Sequence, residues 1–135
     1  MGQAGTPSPR AVAVETAWQN IRGQYGKVWP KLHPRYQRVT TREKWEACQR
    51  KRAKETAEWE WLSVRATDSY PDAMRFPLLG HVRFTAATMK ATIRHPIYGR
   101  RSISDTVYYT LVRGRWKGLW EAATYRAYRA GRCPA

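Results

Sequence analysis

Long apolar runs are missing from this sequence. No stretch approaches the roughly 18 consecutive apolar residues that a membrane-spanning helix requires. The N-terminus also lacks the apolar segment of a secretory signal peptide, because its best apolar stretch runs only from Ala11 to Val14. The sequence therefore predicts no transmembrane segment. Residues 1–8 are predicted to be a flexible leader, or the remainder left after an export signal was removed.

Cysteine and histidine are too few and too dispersed for a structural metal site. The only cysteines are Cys48 and Cys133, and the three histidines form no cluster with them. We expect no metal and no cofactor. The cysteines leave two alternatives, a disulfide that fastens a helix to the chain terminus or two separate thiols in a reducing compartment. We favour the disulfide, because it holds a terminus that otherwise frays.

Acidic residues are also scarce. Ten Asp and Glu stand against 25 Lys and Arg, so the formal net charge is +15 at pH 7. Such a chain attracts polyanions, among them nucleic acid, anionic lipid headgroups and acidic wall polymers. Arginine outnumbers lysine by 18 to 7. This bias favours phosphate or carboxylate recognition, and a GC-rich coding background is the alternative explanation.

Apolar and aromatic residues are plentiful in spite of the charge. The hydrophobic fraction is 42%, with seven Trp, eight Tyr and two Phe. Intrinsically disordered chains have few aromatic residues, so this chain is expected to fold. Its 135 residues fit one domain, which we place at residues 9–135.

The first half of the chain has helical signals. Ser8 followed by Pro9 predicts a helix start, with Ser as the N-cap. A second helix is predicted from about Arg42 to Ala57, after a capping box from Thr40 to Glu43. Apolar residues at helical spacing define the buried stripe of the first helix, namely Val14, Ala17, Trp18, Ile21 and Tyr25.

From Glu58 the apolar period changes to two, which predicts strands. The predicted strands are Glu58 to Thr67, His81 to Ile93, Ser102 to Val112 and Trp116 to Trp120, with a break at Ser69 to Asp72, a hairpin turn at Arg113-Gly114 and a final helix from about Ala122 to Gly131. In the first strand, Trp59 and Trp61 are predicted to face away from Leu62, Val64 and Ala66, with a twist or bulge between the two sets. A one-residue register shift is predicted in the second strand, between Ala86 and Met89.

Helices followed by long antiparallel strands predict an α+β fold, in which N-terminal helices pack in a curved antiparallel sheet and a short C-terminal helix follows. This order resembles the nuclear-transport-factor-2-like superfamily, whose fold is cystatin-like. More narrowly, several segments look like an uncharacterised exported actinobacterial branch of it: Val28 to Pro34, Thr41 to Cys48, Asp105 to Val107 with Gly114 to Trp116, and Tyr125 to Pro134. The resemblance implies a cone with an internal pocket, often dimeric and often tethered to a membrane by an upstream lipid or helix.

Enzymes of that superfamily, such as ketosteroid isomerase, place a carboxylate and a Tyr or second acid in the cone. Asp105 and Tyr109 are the candidates here, because they share one strand face. The alternative is structural, with Asp105 paired to Arg83, Arg100 or Arg101 at the rim. No second acid is placed by the pattern, so no acid/base pair is predicted.

Tryptophan is more abundant than one core of this size requires. Large contact area with a polar group makes Trp suitable for pockets and interfaces. Besides the core, we therefore consider a pocket or partner surface formed by Trp18, Trp59, Trp61, Tyr109 and Trp116.

Three functional hypotheses remain. The leading one is a non-catalytic binding or protein-interaction module of the cell envelope, whose partner is a homodimer mate across the sheet, an envelope protein or a polyanion. The second is an enzyme that uses an acid in the pocket. The third is binding of nucleic acid or another polyanion through the basic surface. Secretion or envelope association follows if a signal was removed, and a cytoplasmic location otherwise.

Overall fold

The computed structural model describes residues 7–135. The predicted leader falls mostly on residues 1–6, which lie outside that range. Helices α1 to α4 and strands β1 to β4 occupy Pro9–Ile21 (α1), Tyr25–Val28 (α2), Arg42–Glu55 (α3), Glu60–Phe76 (β1), Gly80–His95 (β2), Gly99–Val112 (β3), Arg115–Gly118 (β4) and Ala122–Arg129 (α4). Two 3-10 turns, Trp29–Lys31 and Tyr36–Arg38, connect α2 to α3.

The strands form one open, curved antiparallel sheet in the order β1-β2-β3-β4. With the helices, this confirms the predicted α+β class. The hairpin at Arg113-Gly114 is also confirmed. Both residues have positive φ, 52° and 78°, as a tight turn between right-twisted strands requires.

Side-chain caps begin the two longer helices. The Ser8 hydroxyl accepts a hydrogen bond from Ala11 N at 3.1 Å, and Pro9 is the first helical residue, as predicted. The cap of α3 is Thr41, whose hydroxyl accepts from Lys44 N at 3.2 Å. The predicted capping box from Thr40 to Glu43 was therefore wrong by one residue. Both threonines precede the helix, and only the backbone shows which one turns into it.

Strand β1 is longer than predicted and runs through the expected break at Ser69 to Asp72. Pro71 lies directly opposite Thr85 in the ladder. Proline is tolerated because β1 is an edge strand. No strand lies on its outer side, so the missing N–H of Pro71 leaves no carbonyl there without a partner. The prediction failed because edge position is a property of the sheet.

The bulge in β1 places Trp61 on a different face from the one predicted. The ladder skips Leu62, so Trp61 lies opposite Ile93 and Val64 lies opposite Ala91. Residues 93 and 91 alternate along β2 and share one face. Trp61 therefore lies on the same face as Val64, and the predicted separation of these side chains was wrong, although the bulge itself is confirmed.

The predicted register shift in β2 is absent. Strand β2 pairs with β3 without interruption from Thr85 to His95. Ala86 and Ala87 are both fully buried, and each belongs to a different apolar cluster. Because neighbouring side chains point to opposite faces, the sheet is covered on both faces here. The apolar residues move from one face of β2 to the other because the face of the sheet that other elements cover changes along the strand.

Two apolar clusters form the core. The larger one contains eleven buried residues: Tyr25, Val28, Leu32, Tyr36, Trp45, Phe76, Phe84, Ala86, Leu119, Trp120 and Tyr128. The smaller one joins α1 to the other sheet face through Val12, Ala13, Ala87, Met89 and Tyr109.

The stripe predicted for α1 was only partly right. Its most buried residues are Val12, Ala13 and Gln19, whereas Trp18 is partly exposed. The Arg22 guanidinium lies 5.0 Å from the Trp18 ring centroid. Gln19 can be buried because both ends of its amide have partners. Its Nε2 donates to Glu15 Oε1 at 3.1 Å, and its Oε1 accepts from Lys31 Nζ at 2.7 Å. A polar residue with both groups satisfied replaces an apolar one in this position.

Cys48 of α3 and Cys133, which follows α4, form a disulfide, as predicted. The bond is compatible with an oxidising environment. Among residues 7–135, no helix is both long enough and apolar enough to cross a membrane.

His33 gives the fold a pH dependence. Burial, followed by the charges of Arg35 and Lys117, lowers the pKa of His33 below its ordinary 6.5. Its Nδ1 accepts a hydrogen bond from Arg35 N at 3.1 Å, which requires that nitrogen to be unprotonated. Between the two pKa values the unfolded chain binds more protons. The contribution of His33 to the free energy of unfolding is therefore fully present above pH 6.5, and it is lost as the pH falls toward the pKa of the folded state.

Urea unfolding on both sides of pH 6.5 measures this effect. The variant His33→Gln is expected to reduce the acid-side decline in the unfolding midpoint. His81→Gln, at an exposed position, is the control and is expected to leave the decline intact. An unchanged decline in His33→Gln contradicts the assignment.

Candidate ligand cleft

A cleft lies between helices α1 and α3 and strand β3, and residues of α4 and of the segment before it complete one side. It consists of two adjoining cavities of about 310 Å³ and about 520 Å³. Four residues line both cavities, namely Asn20, Gln49, Arg52 and Asp105. The two cavities therefore adjoin each other at these residues, and together they are called the cleft. Each volume is within the size range of small-molecule sites.

Apolar side chains form about half of the wall of the smaller cavity and a larger part of the wall of the other one. The smaller cavity is lined by Val28, Leu32, Trp45, Val107, Leu119, Trp120 and Tyr128 among others. The larger one is lined by Ile21, Tyr25, Trp59, Trp61 and Ile103 beside the shared residues. Period-two alternation in β3 directs Ile103, Asp105 and Val107 to this side of the sheet, as predicted.

Two polar oxygens in the wall have no hydrogen-bond partner within residues 7–135. These are Thr16 Oγ1 and Asn20 Oδ1, both buried and both on α1. Both residues line the cleft. A buried polar atom without a partner costs about 1–3 kcal/mol, so such atoms are rare in folded proteins. Each oxygen has less than 1 Å² of accessible surface, so a molecule in the cleft bonds it only after the side chain turns toward the cavity.

Tyr109 lines the smaller cavity and belongs to the apolar cluster beneath α1. Burial raises the pKa of Tyr109 to about 12, and the adjacent Thr16 hydroxyl acts in the opposite direction. That hydroxyl is close enough to the phenol to lower its pKa by hydrogen bonding, so Asn20 Oδ1 is the clearer unpartnered oxygen of the two. The phenol is therefore protonated at neutral pH and keeps its proton available for donation.

Gln49 and Tyr128 join α3 to α4 at the cleft wall. Gln49 Nε2 lies 3.2 Å from the Tyr128 hydroxyl and donates to it. Burial raises the pKa of Tyr128, while Gln49 and the charge of Arg52 act to lower it. The disulfide connects α3 to the residues that follow α4. This side of the cleft is therefore held by one covalent and one polar link.

Charged groups occupy the rim. Asp105 is exposed, and its Oδ1 accepts from Thr106 N at 2.8 Å. The predicted pairing of Asp105 with Arg83, Arg100 or Arg101 was wrong, because no salt bridge to Asp105 is present in the described part of the chain. The sheet register explains this in part: the β2–β3 pairing ends at Thr85 opposite Tyr109, so Arg83 lies beyond Tyr109, which is itself four residues from Asp105 along β3.

On the other side of the rim, Glu121 lies beside Tyr108. Burial raises the pKa of Tyr108, and Glu121 adds to the shift through its charge and a side-chain hydrogen bond. Arg52, which is exposed on α3, supplies the opposite charge. The rim therefore carries both signs. Within residues 7–135, no group of three His, Cys, Asp or Glu side chains is placed to hold a metal ion.

Comparisons with protein-family models, curated proteins and solved structures find no match. Membership of the nuclear-transport-factor-2-like superfamily therefore stays a prediction, and the chemistry of the cleft has to be argued from its own residues.

The predicted site residues fall in three places. Asp105 and Tyr109 line the smaller cavity, and Trp59 and Trp61 line the larger one. Trp18 is not among the cleft residues. Trp116 packs beside the smaller apolar cluster and lines a shallow depression with Leu111 and Arg83.

Sequence reasoning missed four polar cleft residues, namely Thr16, Asn20, Gln49 and Arg52. Thr16 and Asn20 are four positions apart on α1, and Gln49 and Arg52 are three apart on α3. Such spacing places each pair on one helix face. This spacing was the signal available in the sequence. It was missed because polar residues at helical spacing are also typical of ordinary solvent-exposed helix faces.

Proposed function

We propose that this domain is a non-catalytic binding module that holds a small amphipathic molecule in the cleft. The observation that carries the proposal is the pair of buried, unpartnered oxygens on Thr16 and Asn20. A ligand hydroxyl or amine that donates to them recovers the free energy lost by leaving them unpaired. The apolar walls around them bury the rest of the ligand.

The charges at the rim narrow the class of ligand. Asp105 and Arg52 line both cavities. A strongly anionic or strongly cationic ligand meets one favourable and one unfavourable charge there. The lining favours a neutral or zwitterionic molecule with an apolar body and at least one hydrogen-bond donor.

An enzyme is the second candidate, because Asp105 and Tyr109 line the same cavity. The carboxylate is exposed at the rim, and the phenol is buried beneath α1. A substrate that reaches both groups meets a base and a proton donor. Binding is preferred because the unpartnered oxygens account for affinity without any chemistry.

The variant Asn20→Leu separates binding from folding. It replaces an unpaired buried oxygen with an apolar group of similar size, so the free energy of unfolding is expected to rise by about 1 kcal/mol. Binding of neutral amide and alcohol fragments, screened by NMR, is expected to weaken about tenfold. Urea unfolding and fragment titration measure the two effects.

Gln24→Leu is the matched control, since it removes an exposed amide just beyond α1. It is expected to change stability by less than about 0.5 kcal/mol and to leave fragment binding unchanged. Failure of every fragment to shift cleft resonances contradicts the proposal. Turnover of a fragment that Asp105→Asn abolishes, with folding intact, replaces the binding module with the enzyme.

We also propose that the domain is cone-like in the sense of the nuclear-transport-factor-2-like superfamily and acts at the cell envelope. The helix-first element order and a cleft between helices and sheet support the fold assignment. The disulfide supports an oxidising location. Fractionation of the native host tests the location, and recovery of the chain only from the cytosol with free thiols contradicts it.

A further inference from the structure

The hairpin between β2 and β3 presents the two most exposed large hydrophobic side chains of residues 7–135. Ile97 is 78% exposed and Tyr98 is 63% exposed. They are adjacent in sequence and together form what we call the hairpin tip. Isolated exposed apolar residues are common, but a neighbouring pair at the end of a long hairpin is accessible to a surface approaching from outside.

The hairpin tip is held in place by its own hydrogen bonds. His95 Nδ1 accepts from Ile97 N at 3.0 Å and from Tyr98 N at 3.2 Å. The His95 ring lies 4.7 Å from Tyr98 and 6.3 Å from Trp59, whose ring lies 5.8 Å from Trp61. The apolar side chains are therefore presented by an ordered turn, with aromatic rings packed behind it.

Arginines surround the hairpin tip. Arg94 lies directly opposite Arg100 on the neighbouring strand, and like charges in that position destabilise a sheet. Glu60 offsets Arg94 through a salt bridge of 2.6 Å. Arg100 and Arg101 form no salt bridge in the described part of the chain. Two unneutralised arginines thus adjoin the apolar tip.

The positive charge continues along the sheet behind Arg100. Arg65 lies opposite Lys90 on the same face, which is a second pair of like charges. Serine and threonine fill the positions between, as in the row of Ser63, Thr92 and Ser102. Between these charges the face carries no aromatic ring on which single-stranded nucleic acid stacks, and the ring of Tyr70 lies farther along β1 opposite Ala86.

From this combination we infer that the hairpin tip docks on an anionic lipid bilayer. Ile97 and Tyr98 enter the boundary between headgroups and acyl chains, where Tyr is favoured because one end is apolar and the other polar. Arg100 and Arg101 contact lipid phosphates. A polyanion in solution contacts the arginines but leaves Ile97 and Tyr98 exposed to water. A bilayer contacts the arginines and the apolar pair, so it accounts for more of the observed surface.

Flotation with lipid vesicles tests the inference. Full-length protein is expected to float with vesicles of phosphatidylcholine and phosphatidylglycerol, and much less with phosphatidylcholine alone. The variant I97S/Y98S is expected to lower the partition coefficient about tenfold or more. The variant R100Q/R101Q is expected to lower it about fivefold per arginine.

Matched controls lie near the opposite end of β3. Leu111 is 53% exposed, and Arg115, the first residue of β4, is exposed as well. Leu111→Ser and Arg115→Gln are expected to float as the unaltered protein does. Thermal unfolding verifies that all variants fold, which is expected because every substituted side chain is exposed.

Two results overturn the inference. One is absence of flotation with anionic vesicles at low salt. The other is undiminished flotation of I97S/Y98S together with full competition by heparin, since the surface then recognises polyanions through its arginines alone. Loss of binding in both tip variants but neither control supports docking.

Discussion

Replacing Cys48 and Cys133 together with alanine is expected to lower the free energy of unfolding by about 4 to 5 kcal/mol. The bond closes a loop with a sequence separation of 85. In the chain-entropy model, opening a loop of that length returns a large conformational freedom to the unfolded chain. Because small domains are stable by only about 5–15 kcal/mol, the loss is a substantial part of the total.

Urea unfolding of the double variant measures this loss, and unaltered protein under reducing conditions is expected to behave in the same way. Cys48→Ala alone should match the double variant, because either change removes the bond. If the free energies of unfolding of oxidised and reduced protein differ by less than about 1 kcal/mol, the prediction is contradicted, since the loss expected from loop-closure entropy is several times larger.

Reduction also has a consequence for the cleft. Tyr128 and Pro134, on either side of Cys133, line the smaller cavity. Without the disulfide, the chain terminus is held to α3 by weaker contacts, among them the bond from Gln49 to Tyr128. We therefore expect fragment binding to weaken in reduced protein before the domain unfolds.

Tyr36→Ala is expected to destabilise the fold by about 3 to 5 kcal/mol, the range found for removal of large buried aromatic side chains. Tyr36 has no exposed surface. Its ring stacks on Trp120 with centroids 4.9 Å apart, and its hydroxyl donates to Pro77 O at 3.0 Å. Truncation leaves a cavity and removes the partner of that carbonyl.

Tyr98→Ala is the control, because it deletes the same side chain from a position that is 63% exposed. It is expected to change the free energy of unfolding by less than about 0.5 kcal/mol. Chemical denaturation of both variants provides the comparison. Equal stabilities for the two variants contradict the assignment of Tyr36 to the core.

Much of the fold was predictable because its signals are local. Ser8 and Pro9 begin a helix through their own chemistry, and Arg113-Gly114 turns because its backbone adopts positive φ. The disulfide was predicted because it holds a chain terminus that otherwise frays. These features depend on a few neighbouring residues or on composition, and tertiary contacts did not override them.

The candidate site was predictable only in part. The shared face of Asp105 and Tyr109 followed from strand periodicity, and both line the cleft. Thr16 and Asn20 were missed because a polar residue becomes informative only when its oxygen is buried without a partner. That condition depends on which elements cover α1, and no window of sequence contains it.

The order of α1, α3, α4 and the four strands, the hairpin turn at Arg113-Gly114 and the α+β class came from the sequence alone, because backbone preferences and apolar period act over a few residues. Tertiary structure decided the rest. It moved Trp61 to the face of Val64 through one bulged residue, carried β1 through Pro71 at a sheet edge, and buried Ala86 and Ala87 on opposite faces. The physical reason is that a side chain's exposure is set by residues far away in the chain that pack against it.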